Sequence, residues 1–174
     1  MVAYPNLQIE DRNWIESIRV QHDPQATKLR VHFTLVFPFD GEPLAAIEEI
    51  AVAARTTSQI DFEISSARVV PDVVTSKTHV FLVPSQGAAE IHALQERLYS
   101  KSLQAHKRRD IPYVPHLTVA VHSTAQSAEA VAETLRLDGA DRRVVRGVVS
   151  AIDLVALSAE VVETMATFDL AKES

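Results

Sequence analysis

The feature that most constrains this chain is a short pattern that occurs twice: a histidine and a threonine separated by one apolar residue, at residues 32–34 and 116–118. Both copies lie in stretches where apolar and other side chains alternate, which is the period of a β-strand. Successive side chains of a strand point to opposite faces, so the histidine and threonine of each copy are predicted to share one face. We refer to residues 32–34 as motif one and to residues 116–118 as motif two.

The order of elements around the motifs also repeats, since each motif strand is followed by a helix with one apolar stripe and then by two strands. In the first half of the chain the predicted elements are a helix over 11–20, a motif strand over 29–37, a helix that opens at Asp40–Pro43 and reaches 54, and strands over 60–64 and 78–83. A helix containing 91–98 follows. In the second half they are a motif strand over 115–121, a helix from a capping box at Ser123 and Gln126 to Asp138 and Gly139, and strands over 144–157 and 161–170. We interpret this order as an internal duplication. It divides a single domain, residues 1–174, into lobe one at about 25–85, a connecting helix at about 86–106 and lobe two at about 113–172.

The side chains of the motifs suit chemistry on a phosphodiester. His32 and His116 have an ordinary pKa of about 6.5, so near neutral pH one imidazole can accept a proton while the other donates one. The hydroxyls of Thr34 and Thr118 can donate hydrogen bonds to the nonbridging oxygens of a phosphate. If a pseudo-twofold relates the lobes, the four groups line one cleft. The symmetry of the motifs leaves open which histidine is the base.

Composition excludes several other classes of function. The chain carries 17 Lys and Arg against 23 Asp and Glu, a net charge of -6, which disfavours long duplex nucleic acid and anionic membranes as partners. The sequence shows neither a leader nor a membrane-spanning stretch, so we expect a cytoplasmic protein. We also expect a monomer. It contains no cysteine and no His-Glu-x-x-His pattern, and its 4 glycines provide no phosphate-binding loop. We therefore expect no metal and no cofactor.

Several further residues are candidates for substrate contacts. Arg30 shares the predicted face of His32, and Tyr113 shortly precedes motif two, where its ring could stack on a base or ribose. Arg109 belongs to a basic segment that could overhang the cleft and hold phosphates, together with Lys101, Lys107 and Arg108. A solvated helix end and loop would have the same composition. A second basic cluster, formed by Arg142, Arg143 and Arg146, is interpreted as surface, and His122 is predicted to share the face of motif two at the far end of its strand.

The residues around the motifs resemble a known family. His-Phe-Thr-Leu-Val-Phe-Pro-Phe at 32–39 and Tyr-Val-Pro-His-Leu-Thr-Val at 113–119 resemble the two signatures of the 2H phosphoesterase superfamily, whose best-known branch is the 2′-5′ RNA ligase-like proteins. The resemblance covers essentially the whole chain in motif order and spacing. It implies an α+β, bilobal fold with two antiparallel sheets flanking a central cleft. It also implies catalytic roles for His32 and His116, phosphate contacts from Thr34 and Thr118, and no requirement for a metal.

Three functions remain open at this point. The leading hypothesis is a metal-independent phosphodiesterase acting on a 2′,3′-cyclic phosphate, a small cyclic nucleotide or a 2′-5′ linked RNA end. The second is a non-catalytic module that uses the same cleft to bind an RNA end or nucleotide. The third is a protein-interaction domain whose histidines are incidental.

Overall fold

The computed structural model describes residues 1–40, 46–72, 75–135, 137, 143–158 and 161–172. The described helices are α1 (Ile9–His22), α2 (Ile47–Arg55), α3 (Ala88–Leu98) and α4 (Ala125–Thr134), with a 3₁₀ helix at Ser102–His106. The described strands are β1 (Val2–Ala3), β2 (Asn6–Leu7), β3 (Phe33–Thr34), β4 (Ile60–Asp72), β5 (Lys77–Gln86), β6 (Leu117–His122), β7 (Val145–Val149), β8 (Ala151–Leu157) and β9 (Val162–Asp169). The fold is therefore mixed α and β, with all of the pairings between these strands antiparallel.

The described strands form one sheet where the family resemblance implied two. Their order across the sheet is β2-β7-β4-β5-β6-β3-β1-β8-β9. The sheet is continuous because the two motif strands, β3 and β6, pair with each other at its middle. Any division into two sheets would have to pass between the motifs themselves.

The two halves of the sheet do not follow the predicted lobes. The hairpin β4–β5 follows motif one in the chain, yet it pairs with β6 and β7 of the second half. The hairpin β8–β9 follows motif two, yet it joins the sheet through β1, which pairs with β3. Each half of the sheet thus combines strands from both halves of the chain, which lobes at 25–85 and 113–172 do not describe.

One face of the sheet carries the core. Phe33 and Leu117 are fully buried there, as the alternation in the motifs predicted, and they belong to a cluster that also contains Ile15 of α1, Ile50 of α2 and Val131 of α4. Burial of large apolar side chains on one face of a sheet is what holds helices against it. The histidine and threonine of each motif lie on the other face and are half-buried.

Several element boundaries differ from the prediction. The motif-one strand is only Phe33–Thr34, because the backbone just before it bonds to side chains of α1: the guanidinium of Arg19 donates to the carbonyl of Leu29 (2.7 Å), and the N–H of Val31 donates to Glu16 (3.0 Å). The predicted strand 144–157 is two strands, since β7 pairs with β2 and β4 while β8 pairs with β1 and β9 in the other half of the sheet. β4 also continues through Pro71 to Asp72, beyond the predicted strand over 60–64.

Further differences from the prediction lie at the helix ends and in the N-terminal strands. α4 is capped one residue later than predicted, by Thr124, whose hydroxyl accepts from the N–H of Ser127 (3.2 Å). The predicted start of the second helix at Asp40–Pro43 and the predicted helix end at Asp138 and Gly139 lie largely outside the described residues. β1 and β2 were not predicted, because strands of two residues show no alternation. No helix in the described ranges is long and apolar enough to cross a bilayer.

Candidate active site

The register of β3 against β6 brings the two motifs together. Phe33 is paired with Leu117 across the antiparallel ladder. Extending that register by one residue in each direction places His32 opposite Thr118 and Thr34 opposite His116, with the Cβ atoms of such partners about 5 Å apart. The four polar side chains therefore form a square on one face, with the two histidines on one diagonal and the two threonines on the other.

Both imidazoles are held in the same tautomer by the same local bond. Nδ1–H of His32 donates to the carbonyl of Arg30 (2.8 Å), and Nδ1–H of His116 donates to the carbonyl of Val114 (2.6 Å), in each case two residues earlier in the chain. A carbonyl oxygen only accepts, so the ring nitrogen must carry the proton. Nε2 of each ring is thus left to accept or donate a proton toward a substrate.

The surroundings of both imidazoles lower their pKa values. The pKa of His116 is lowered to about 4, chiefly by burial and to a smaller extent by the neighbouring His32 and His79, against the opposing effect of the bond to Val114. Burial also lowers the pKa of His32, with Arg19 acting in the same direction and Asp23 in the opposite one. His32 affects the pKa of His116 because the two rings lie close enough to interact. This agrees with the register of β3 against β6.

An aromatic ring supports each histidine from the neighbouring strand. Phe81 of β5, which pairs with Thr118, stacks on His116 with ring centroids 3.7 Å apart and planes 21° apart. Tyr4, which directly follows β1, meets His32 edge to face with centroids 6.3 Å apart. Neither ring was predicted from the sequence, although Phe81 lies on the predicted strand 78–83.

Two exposed arginines flank the square. The guanidinium of Arg30 lies 4.1 Å from the centroid of the Tyr4 ring, beside His32. Arg68 of β4 pairs with Phe81, so it shares the motif face one strand beyond the ring that stacks on His116. Within the described part of the chain Arg68 has no ion pair or hydrogen bond, which leaves its charge available. Arg30 was a predicted candidate, whereas Arg68 was not identified from the sequence.

Comparison with known proteins identifies the family of this chain. Residues 6–160 match the model of the 2′-5′ RNA ligase superfamily. The chain belongs to this superfamily of 2H phosphoesterases. It is 31% identical over 143 residues to a protein of Bacillus pumilus (strain SAFR-032) named "Putative phosphoesterase", covering 79% of this chain and 77% of that one.

Two solved structures share the fold of this 2H phosphoesterase. The protein TT0787 of Thermus thermophilus superposes with a TM-score of 0.64 at 16% identity, covering 99% of each chain. LigT of Escherichia coli in its apo form superposes with a TM-score of 0.56 at 14% identity, covering 98% of this chain and 96% of its own.

The remaining predicted substrate contacts of this 2H protein are placed less favourably. The hydroxyl of Tyr113 donates to the carbonyl of Thr34 (3.0 Å), so it is already hydrogen-bonded to the protein backbone. Burial also raises the pKa of this hydroxyl. In the basic segment, Lys107 pairs with Glu96 (2.5 Å) and Arg108 with Asp110 (2.6 Å). Arg109 is exposed and, among the described residues, has no hydrogen bond or ion pair. Two of the positive charges of this segment are therefore paired with carboxylates.

The prediction for His122 is wrong. β5 and β6 shift register between Val80 and Phe81, so that β6 holds one extra residue and its alternation reverses beyond Thr118. Ala120 is consequently fully buried, and the ring of His122 lies 5.3 Å from that of His22 in α1, on the helix side of the sheet. In the second basic cluster, Arg143 pairs with Asp11 and Arg146 with Glu63, while Arg142 lies outside the described residues.

A buried ionic cluster supports the approach to motif one. Arg19 is only 2% exposed and donates to Asp23 (2.9 Å), to Glu16 (3.0 Å) and to the carbonyl of Leu29 (2.7 Å). Glu16 also accepts from the N–H of Val31 (3.0 Å). These bonds fix residues 29–31, whose Arg30 carbonyl in turn holds His32. Helical spacing does not reveal such a role, so Arg19 was not predicted from the sequence.

A cavity of 510 Å³ opens beside motif one. His32 and Thr34 lie at one end, and the walls are formed by the segment after β3 and by the β8–β9 hairpin. We call this cavity the trough. In the described residues, no group of three or more His, Cys, Asp or Glu side chains could hold a metal ion, in the trough or elsewhere.

Proposed function

We propose that this protein is a metal-independent phosphodiesterase in which His32 and His116 act as acid and base on one phosphorus held by Thr34 and Thr118. The observation that carries the proposal is the pairing of Phe33 with Leu117, which fixes the four side chains as a square on one face. A phosphate bound at its centre would have a hydroxyl on two sides and an imidazole on the other two. That is the geometry required for attack from one side and departure on the other.

The proton transfers balance without a covalent intermediate. Nε2 of one histidine accepts a proton from the attacking water, and Nε2–H of the other donates a proton to the departing sugar oxygen. The charge that develops on the phosphorane oxygens is met by the two threonine hydroxyls and by the guanidinium groups of Arg30 and Arg68. With a linear RNA, the base would instead take the proton of a 2′-hydroxyl.

We assign the base to His116 and the acid to His32. The pKa of His116 is lowered to about 4, and no carboxylate among the described residues opposes the effect, so this ring is neutral and ready to accept a proton at neutral pH. Burial and Arg19 also lower the pKa of His32, but there the carboxylate of Asp23 acts against them, so we take this ring as the one that carries a proton. A 4-nitrophenyl diester, whose leaving group needs no proton, distinguishes the roles. The His32→Ala protein should retain activity on it, whereas the His116→Ala protein should not.

The substrates we propose are a 2′,3′-cyclic phosphate, a small cyclic nucleotide or a 2′-5′ linked RNA end. The site suits a single phosphodiester, and the net charge of -6 disfavours a long polyanion. The names of the family and of the Bacillus pumilus relative are in keeping with phosphoester chemistry.

A substrate panel tests the proposal. Wild-type protein and the His32→Ala/His116→Ala double variant are incubated with 2′,3′-cyclic nucleotides and 2′-5′ dinucleotides, each with and without EDTA. The proposal expects turnover by the wild type that is unaffected by EDTA and absent from the double variant. Binding of these compounds without product would instead favour the non-catalytic module.

A further inference from the structure

The trough beside motif one indicates which kind of group is attached to the proposed phosphate. It continues the motif face: Thr34 pairs with Val2 of β1, and Val2 pairs with Asp153 of β8. Val155 and Leu157 follow on the same face of β8, because side chains two apart in a strand point the same way. The trough therefore starts at the square of motif residues and leads away from it toward the β8–β9 hairpin.

The walls of the trough are predominantly apolar. Phe37, Pro38 and Phe39 form one side, and Val155, Leu157 and Met165 form the other. Leu157 is 52% exposed and Met165 is 61% exposed, a large apolar area to leave in water. The volume of 510 Å³ is within the range of small-molecule sites. Such walls favour an occupant that is itself apolar or aromatic.

The charges around the trough argue against a polyanion. Among the described residues that line it there is no lysine or arginine, and the one carboxylate is that of Asp40. A second phosphate here would be desolvated beside apolar walls and a negative charge, with no lysine or arginine among those lining residues to compensate. On the opposite side of the square, Phe81 fills the space against His116, and the exposed Arg68 lies beyond it. The two sides of the proposed phosphate site are therefore chemically different.

We infer that the trough binds an uncharged, predominantly apolar group attached to the phosphate, and that the substrate does not continue there as a phosphate chain. The inference rests on the proposed function only in that the phosphate is placed between the two motifs. It narrows the substrate to a small phosphodiester with an uncharged end on the side of motif one.

Binding of phosphinates tests the inference without turnover. Dialkylphosphinates carry the single negative charge of a diester but have carbon in place of both ester oxygens, so they cannot be hydrolysed. The dissociation constants of dimethylphosphinate, hexyl(methyl)phosphinate and (5-carboxypentyl)(methyl)phosphinate are measured by calorimetry on the wild-type protein. We expect the hexyl compound to bind at least tenfold more tightly than the dimethyl compound, since a buried methylene favours binding by about fourfold. The carboxypentyl compound, of equal length, should show no gain.

Matched variants locate the effect. The Leu157→Ser/Met165→Ser protein should lose the preference for the hexyl compound, whereas Val161→Ser, which alters a side chain that is also 52% exposed near the same hairpin but does not line the trough, should retain it. Equal binding of the three compounds, tightest binding of the carboxypentyl compound, or a preference that survives the double substitution would overturn the inference. Failure of every substrate in the hydrolysis panel would contradict the proposed function and leave this order of binding unchanged.

Discussion

The hydroxyl of Tyr113 donates a hydrogen bond of 3.0 Å to the backbone carbonyl of Thr34. Tyr113 lies three residues before motif two, and Thr34 is the last residue of motif one. The bond therefore ties the chain that leads into one motif directly to the backbone of the other. It supports, from outside the sheet, the same alignment that the pairing of Phe33 with Leu117 gives within it.

Replacing Tyr113 by Phe should loosen this alignment. The loss of one hydrogen bond to a half-buried carbonyl is expected to lower the free energy of unfolding by about 1 kcal/mol and to lower kcat by about three- to tenfold. Urea denaturation and steady-state kinetics measure the two effects. Tyr99→Phe is the control, because its hydroxyl accepts from the N–H of Phe37 (3.0 Å) and does not contact a motif. A similar loss of kcat in both variants would show that the Tyr113 bond has no specific role.

The pKa shifts predict an acidic optimum. The base must be neutral, so kcat/KM should fall as pH drops through the pKa of His116, at about 4. The acid must be protonated, so kcat/KM should fall again as pH rises through the lowered pKa of His32, below 6.5. We expect a bell-shaped profile of kcat/KM with its maximum between these limits. An anionic substrate raises both pKa values, so the profile of kcat should lie at higher pH. An alkaline limb of kcat/KM above pH 8 would contradict this account.

The two threonines should contribute comparably, since each occupies the same position on its strand. Val has nearly the shape of Thr without the hydroxyl, so Thr34→Val and Thr118→Val are each expected to lower kcat/KM by about 10- to 100-fold while leaving the fold intact. Thr134→Val, an exposed position on α4, is the control. Full activity of either motif variant would remove that hydroxyl from the proposed phosphate site.

The ionic cluster on α1 should matter for both stability and the histidine it supports. Arg19→Met leaves Asp23 buried without its partner, which is expected to lower the free energy of unfolding by about 3–5 kcal/mol. The change also removes a positive charge that lowers the pKa of His32, so that pKa should rise in an NMR titration. Arg12→Met, on an exposed position of the same helix, should change neither quantity. An unshifted pKa of His32 in folded Arg19→Met protein would limit Arg19 to a structural role.

The local part of the site could be predicted from the sequence. Alternation alone indicated which face of each motif is buried, and Phe33, Leu117 and Val119 are fully buried as expected. Alternation fails where the strand is irregular, and the extra residue in β6 is the reason that His122 was assigned to the wrong face. The amino-acid sequence of β6 does not distinguish a strand with a bulge from a regular strand.

The long-range part of the site could not be predicted. The pairing of β3 with β6 and with β1, and of β5 with β6, depends on contacts between segments far apart in sequence. Phe81 and Tyr4 acquire their roles only through those pairings, as does Arg68. A fully buried arginine such as Arg19 likewise depends on acceptors that the fold supplies, here including the carbonyl of Leu29.

The central claim is that two imidazoles act together on one phosphorus, and a double-mutant cycle tests it most directly. The measurement is kcat/KM on the best cyclic nucleotide of the panel for the wild type, His32→Ala, His116→Ala and the double variant. We expect each single substitution to lower kcat/KM by about 10²- to 10⁴-fold, and the double variant to be no worse than the more impaired single one, because groups that act as a unit do not contribute independently. Losses that multiply in the double variant, or a His116→Ala protein that keeps wild-type activity, would contradict the claim.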